Sequence, residues 1–381
     1  MDEWERIYRE AVNAARATAL SANGVPRAAI DQLYILYAQM IRDIDRDFGT
    51  GAITQARKEA LSNQIRARLD KLSAQLQTTF AVQKRNAVDQ SILGHQRALE
   101  GVRRLGFNVS ANFNDVPDAT IDFMLQRRGI HGSKNYQTLI GRGLQDMGPQ
   151  VDRFLNSAIG RGVSAERASQ ELAGLIAGKD PNLIGILDNG RLDKNKIKAA
   201  LKGENIDDKT FQKAQKVLWQ SKRIMVTEIN TAFREADILS SFESPVVGYK
   251  KWEVSGRHYG LWSSPDVCSF YHEADQFGQG AGVFPILNIP STPHPNCGCF
   301  ASDVMRNPSE WNQKKPETRQ PKRLTANGVK KNLNRAAKSN KQLAKGLERA
   351  TDNHIKRQVE IANEYNQLAY KWSQRVGKAA S

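Results

Sequence analysis

Apolar residues recur at three- and four-residue steps over most of the first hundred positions, the spacing that puts them on one face of an α-helix. Trp4, Ile7, Tyr8, Ala11, Ala15 and Leu20 form the first such stripe, and Gly24-Val25-Pro26 stops it. A second runs from Arg27 to Phe48 through Ile30, Leu33, Tyr37, Met40, Ile41 and Ile44, and is closed by Gly49-Thr50-Gly51. The third is the longest: Leu61, Ile65, Leu69, Leu72, Leu76 and Phe80, with Arg57, Lys58, Arg66, Arg68 and Lys71 interleaved outside it. It continues past Arg85 toward Leu99, until Gly101 and Gly106 close it. Stripes of this kind are the seams of a helical bundle, so residues 1–106 read as a long-helix N-terminal region.

The period breaks between Phe107 and Asp118, where Asn108, Asn112, Asn114 and Pro117 predict a loop. Helical patterns resume at 119–128, 136–146 and 151–159, making 107–163 a helical connecting region. Ser164 is placed to cap a helix from Ala165 to Ile176, its hydroxyl accepting from an orphan amide, and Glu166 suits the positive end of the helix dipole. Residues 178–208 are polar and turn-rich and read as a surface insertion. One or two helices are expected from Lys209 to Ala236. From Val246 to Val254, Trp252 and Val254 alternate with charged neighbours, which predicts a strand. A linker at 306–328, holding Pro308, Pro316 and Pro321, then leads to a weakly amphipathic helical tail at 329–381. The expected fold class is mainly α with a small α+β core at 164–305.

Charge sharpens this division. The formal net charge is +16, and residues 306–381 hold 18 Lys or Arg against 6 Asp or Glu, a net +12. Most of the excess therefore sits in the last fifth of the chain, which points to an acidic partner. Lys330, Lys331, Arg335, Lys338, Lys341 and Lys345 are the candidate contacts to the phosphates of double-stranded DNA, independent of base sequence. A solvated helix face is the plainer reading of the same residues. No run approaches the roughly 18 apolar residues of a membrane span, and the first residues lack the basic-then-apolar order of a signal peptide. Synthesis in a reducing cytoplasm is expected.

The densest chemistry lies between Asp266 and Cys299. All three cysteines, Cys268, Cys297 and Cys299, fall there with His272 and His294, around a loop holding Gly278, Gly280 and Gly282. Zn²⁺ takes four tetrahedral nitrogen or sulfur donors and lends folding energy to a segment with little core of its own. Cys268, His294, Cys297 and Cys299 make the most economical set, with His272 as a competing donor one turn beyond Cys268. Glu273 and Asp275 are near, but the chain has no H-E-x-x-H helix, so a structural zinc is expected rather than a catalytic one.

Four segments together resemble a known family. They are R-I-M-V-T-E-I-N-T-A-F-R-E-A from Arg223 to Ala236, Gly248 with K-K-W from Lys250 to Trp252, D-V-C from Asp266 to Cys268, and H-P-N-C-G-C from His294 to Cys299. In order and spacing they are similar to the phage Mu protein F-like head morphogenesis family, minor head proteins of tailed bacteriophages. Thr227, Glu228 and Trp252 match its structural motif, and Arg223 stands for its arginine, three positions earlier than the usual adjacent one. Tyr271 stands where the family has a second knuckle cysteine, and Gly298 replaces a common arginine. The resemblance covers roughly Ser164 to Ala301. It implies a non-enzymatic virion component in the phage head, inside the capsid or at the portal vertex. Such a protein is present in several copies, contacts the portal, with the major capsid protein as the further partner, and acts in head assembly, genome packaging or DNA delivery.

Two other classes compete. A zinc-dependent hydrolase, nuclease or toxin-like transferase would use Glu228 beside the metal, yet the chain has no P-loop, G-x-S-x-G or His-rich nuclease motif. Glu228 and Asn230 fall about 200° apart on a straight helix, which favours a structural role in which Glu228 bonds a backbone group or an arginine such as Arg223 or Arg234 and locks the helix against the sheet. A zinc-knuckle nucleic-acid binder would want a basic knuckle, and Cys268 to Cys299 contains no Lys or Arg. Any DNA contact is thereby assigned to the tail or the helices.

Overall fold

The computed structural model describes residues 1–20, 24–126, 141, 143–177, 180–187, 192, 195, 197, 208–255, 265–290, 297, 299–313, 315 and 319–379. They are mainly helical with one small antiparallel sheet. The chain divides into two compact units, neither continuous in sequence. One, here the helical unit, comprises Ala22–Gln83 and Arg127–Val226; the other, the sheet unit, comprises Met1–Ser21, Lys84–Gln126 and Thr227–Ser381. The sequence boundaries at 106, 163 and 305 do not coincide with this division, because each of two long helices contributes a stretch to both units.

In the helical unit, α2 (Val25–Phe48) and the first part of α3 (Gln55–Arg104) bury the expected stripes: Leu61, Ile65, Leu69, Leu72, Leu76 and Phe80 are all buried. Pro26 sits in the first turn of α2, where its missing amide costs nothing, and Gly49 ends the helix at φ 59. After α4 (Val116–Gln126), which belongs to the sheet unit, come α5 (Gly148–Gly160), α6 (Ala165–Ala177) and α7 (Pro181–Leu187). The expected cap at Ser164 forms, its hydroxyl accepting from Arg167 N at 3.2 Å. Helix α7 differs from expectation. It lies in the stretch read as a surface insertion, but Leu183, Ile184 and Leu187 are buried and α7 packs on α2. Three apolar residues at i, i+1 and i+4 make a small buried face that the polar average conceals.

The sheet unit is built around α8 (Asp208–Glu243) and three strands. The strands are β1 (Val247–Glu253), β2 (Val283–Pro285) and β3 (Phe300–Met305), in the order β2-β1-β3 with both pairings antiparallel. Successive side chains of a strand point to opposite faces, so Lys250 and Trp252 share the inward face and are fully buried while Lys251 and Glu253 are not. From Thr231 to Ser241, α8 is buried on every side. Between α9 (Val267–Glu273) and β2, the chain returns at Gly282, which donates to Ala274 O at 3.0 Å and accepts from Trp252 N at 2.8 Å. Gly282 has φ 74, and a Cβ there would lie 2.9 Å from His272 O, so the turn requires glycine.

The stretch read as a linker is docked along its described part. Trp311 is buried, gives its indole hydrogen to Arg306 O at 3.1 Å, and meets the rings of Trp4 and Phe107 edge-on. Lys315 donates to Ser241 O at 2.9 Å and Ser244 O at 2.5 Å, satisfying carbonyls at the C-terminal end of α8. One aromatic anchor and one lysine outweigh the prolines. The basic tail folds as α10 (Ala326–Ala337), α11 (Lys341–Arg349) and α12 (Asp352–Ala379), and α9 packs on α10 and α12. Tyr271 donates to Ala362 O at 2.9 Å, and Asn366 to Gln276 at 2.7 Å. Among the described residues no helix is long and apolar enough to cross a membrane.

Candidate metal centre

Asp266 ends its extended segment by capping α9, its carboxylate accepting from Cys268 N at 3.0 Å and Ser269 N at 3.3 Å. The cap places Cys268 in the first turn, facing inward. Cys297 and Cys299 arrive from the other direction, Cys299 directly before β3, and Arg234 of α8 gives a 2.5 Å hydrogen bond to Cys297 O. The three sulfurs lie within 4.8 Å of one another, Cys268 and Cys297 at 3.5 Å, and all three residues are buried. No disulfide joins them. Donors at the ~2.3 Å zinc–sulfur distance of a tetrahedral site stand about 3.8 Å apart, so this spacing fits three thiolates around one ion.

The electrostatics agree with that fit. Burial pushes the Cys268 thiol well up, and the neighbouring thiols and Asp266 add to it. A hydrogen bond from Cys268 favours the Cys299 thiolate, but its contact with Cys297 and burial together push it up to about 12. Cys268 and Cys299 thus resist losing their protons, and a divalent cation is what would reverse that resistance.

The histidines are placed differently. His272 ends α9 with Nδ1 donating to Trp252 O at 2.8 Å and Nε2 3.8 Å from Glu273, outside the three-sulfur group. His294 lies outside the described residues. Trp252 is fully buried and packs edge-on against Tyr271 at 5.7 Å, which in turn meets Phe284 at 5.9 Å. Tyr271, at the position of the family's further cysteine, is thus an aromatic core residue that also ties α9 to α12. Thr227 and Glu228 are both buried, and Glu228 faces Lys84, whose ammonium burial disfavours and Glu228 supports. Arg223 stacks its guanidinium over Trp219 at 5.1 Å. Arg234, weighed in the sequence as a partner for Glu228, reaches the backbone of the cysteine cluster. Lys330, Lys331, Arg335, Lys338, Lys341 and Lys345 are all exposed.

A second buried cluster was not anticipated. Lys250 Nζ lies 2.6 Å from Asp237 and 2.7 Å from Asp303, a residue directly opposite it on β3. His95 Nε2 is 3.0 Å from the other Asp237 oxygen, and its Nδ1 is 2.9 Å from Tyr8 OH, which donates to Ser244 at 3.0 Å. Ser241 donates to Asp303 at 2.8 Å, and Arg16 stands 3.8 Å from Asp237. Burial works against the Asp237 carboxylate, but Lys250, His95 and Arg16 hold its pKa well below the usual range. Burial pushes the Tyr8 phenol well up. One signal was available: Lys250 has the strand parity of Trp252.

Comparison of the chain with protein-family models, with curated proteins and with solved structures found no match.

Proposed function

We propose that this chain is a minor head protein of a tailed bacteriophage, similar to the phage Mu protein F-like family and held together by a structural zinc ion. In this reading Cys268, Cys297 and Cys299 are three of its ligands. A histidine supplies the fourth donor, and His294, three residues before Cys297, is favoured because His272 stands outside the three-sulfur group with its Nε2 beside Glu273. The observation that carries the reading is the convergence of the four motif segments on one buried cluster. Arg234 of the T-E helix holds Cys297 O, Trp252 of the K-K-W strand packs on the helix that carries Cys268, and Cys299 directly precedes β3. Motifs gathered to hold a core, with every sulfur buried, suit a structural role, and the chain is read as non-enzymatic. The exposed lysines and arginine of α10 and α11 suit the packaged genome, and the portal is the expected protein partner.

The test is mass spectrometry of DNA-filled heads purified from cells carrying the gene with its neighbouring capsid and portal genes. Several copies of the chain per head are expected. Heads that assemble and fill without it would overturn the reading, as would metal-dependent hydrolysis by the purified chain that Glu228→Ala abolishes.

A further inference from the structure

Residues 338–340 alone separate α10 from α11. The helices pack together, with Val329 and Leu333 of one and Leu343 of the other buried, and α10 also packs on α12. A three-residue connection between two packed helices is the connectivity that a helix–turn–helix requires. Asn340 sets the start of α11, its side chain accepting from Gln342 N and Leu343 N at 3.1 Å each. Away from Leu343, the exposed residues of α11 are Lys341, Gln342, Lys345, Glu348 and Arg349. Their spacing of i, i+1, i+4, i+7 and i+8 is one helical face. Lys331, Arg335 and Lys338 are exposed on α10 and the turn. Among the described residues, the ion pair formed by this basic group is Lys330 with Asp352 at 2.8 Å.

We propose that α10 and α11 seat on double-stranded DNA as a helix–turn–helix, with the outer face of α11 in the major groove and α10 and the turn on the phosphates. A helix is about as wide as that groove, roughly 12 Å. Its face carries the side chains that reach base edges: lysine and arginine toward guanine, glutamine toward adenine, glutamate toward cytosine. The narrow major groove of duplex RNA would not admit it. Among the described residues, α10 and α11 expose no large apolar side chain to enter a membrane surface. The proposal rests on the DNA contact read above and narrows it from phosphate attraction to groove seating. Its failure is separable, since a chain that fails the test below can still be found in heads.

The full chain is titrated by fluorescence anisotropy with a duplex of about two helical turns, and with the same duplex carrying glucosylated 5-hydroxymethylcytosine, which fills the major groove. The groove-filled duplex is expected to bind at least tenfold more weakly. Replacing Lys341, Lys345 and Arg349 together by Ala is expected to weaken binding roughly tenfold or more without changing the melting temperature. Arg335→Ala with Lys338→Ala is expected to lower the salt dependence by about one phosphate contact per residue, a slope near 0.9 each. Equal affinity for the plain and groove-filled duplexes would overturn the proposal. So would a triple variant that keeps its melting temperature and binds like the wild type.

Discussion

The buried polar cluster around Lys250 and the buried cysteine cluster around Cys268 both lie in the sheet unit, and they are balanced in different ways. Around Lys250, the buried charges are paired: Lys250 and His95 lie within hydrogen-bonding reach of Asp237, Arg16 stands 3.8 Å from it, and Lys250 and Ser241 hold Asp303. That cluster is complete with protein atoms alone. Around Cys268, three buried thiols crowd within 4.8 Å of one another, hydrogen-bonded among themselves and to the Ser255 backbone. A buried ionic group costs desolvation unless it is paired, so the first cluster is stable as it stands. The second gains most when a cation replaces its protons. Damage to the first should therefore not depend on metal, and damage to the second should depend on nothing else.

The largest effect expected is from Lys250→Met. It leaves two buried carboxylates facing each other without their ammonium, and removing one partner of a buried pair costs about 3–5 kcal/mol. Urea denaturation measures it, with the same loss whether or not a chelator is present. Next, Cys297→Ser or chelation of the wild type should each cost about 3 kcal/mol, the linkage energy of an ion held at ~100-fold above its dissociation constant. The two should not add. A chelator that further destabilises Cys297→Ser would break the comparison.

Gly282→Ala should follow at roughly 2 kcal/mol, because an alanine must adopt φ 74 and meets His272 O, a backbone atom that cannot step aside. Since Gly282 fixes the return from α9 to β2, the variant should also weaken metal retention, whereas Lys250→Met should not.

The smallest effect is one of pH. The carboxylate of Asp237 is held below its ordinary value of 3.8, so its stabilisation is fully present above that value and is lost as pH falls below it. The slope is at most about 1.4 kcal/mol per pH unit for one proton. Asp237→Asn should be less stable at neutral pH and should lack this acid limb in denaturation curves taken through that range. An unchanged limb would mean that other carboxylates carry it.

Much of this architecture can be read from the chain, and what escapes reading has a physical cause. The stripe from Leu61 to Phe80 is buried throughout, and β1 falls within the alternating stretch around Trp252, because local period alone decides both. The sulfur cluster was legible because soft ligands are rare, and three of them close together stand out from any background. Tyr8, His95, Asp237, Lys250 and Asp303 were not, since they come from five separated segments of types that ordinarily face water, and only the tertiary fold makes them partners. Trp311 and Lys315 were hidden by the prolines beside them. The helix–turn–helix was present in the sequence as charge, but its second helix became visible only when the burial of Leu343 fixed which face looks outward.

The account stands most directly on the metal. Elemental analysis of the full chain, purified without chelators, should find one zinc ion per molecule in the wild type and in His272→Ala, and none in Cys297→Ser. Wild-type protein free of metal, with a melting temperature that added zinc leaves unchanged, would contradict it.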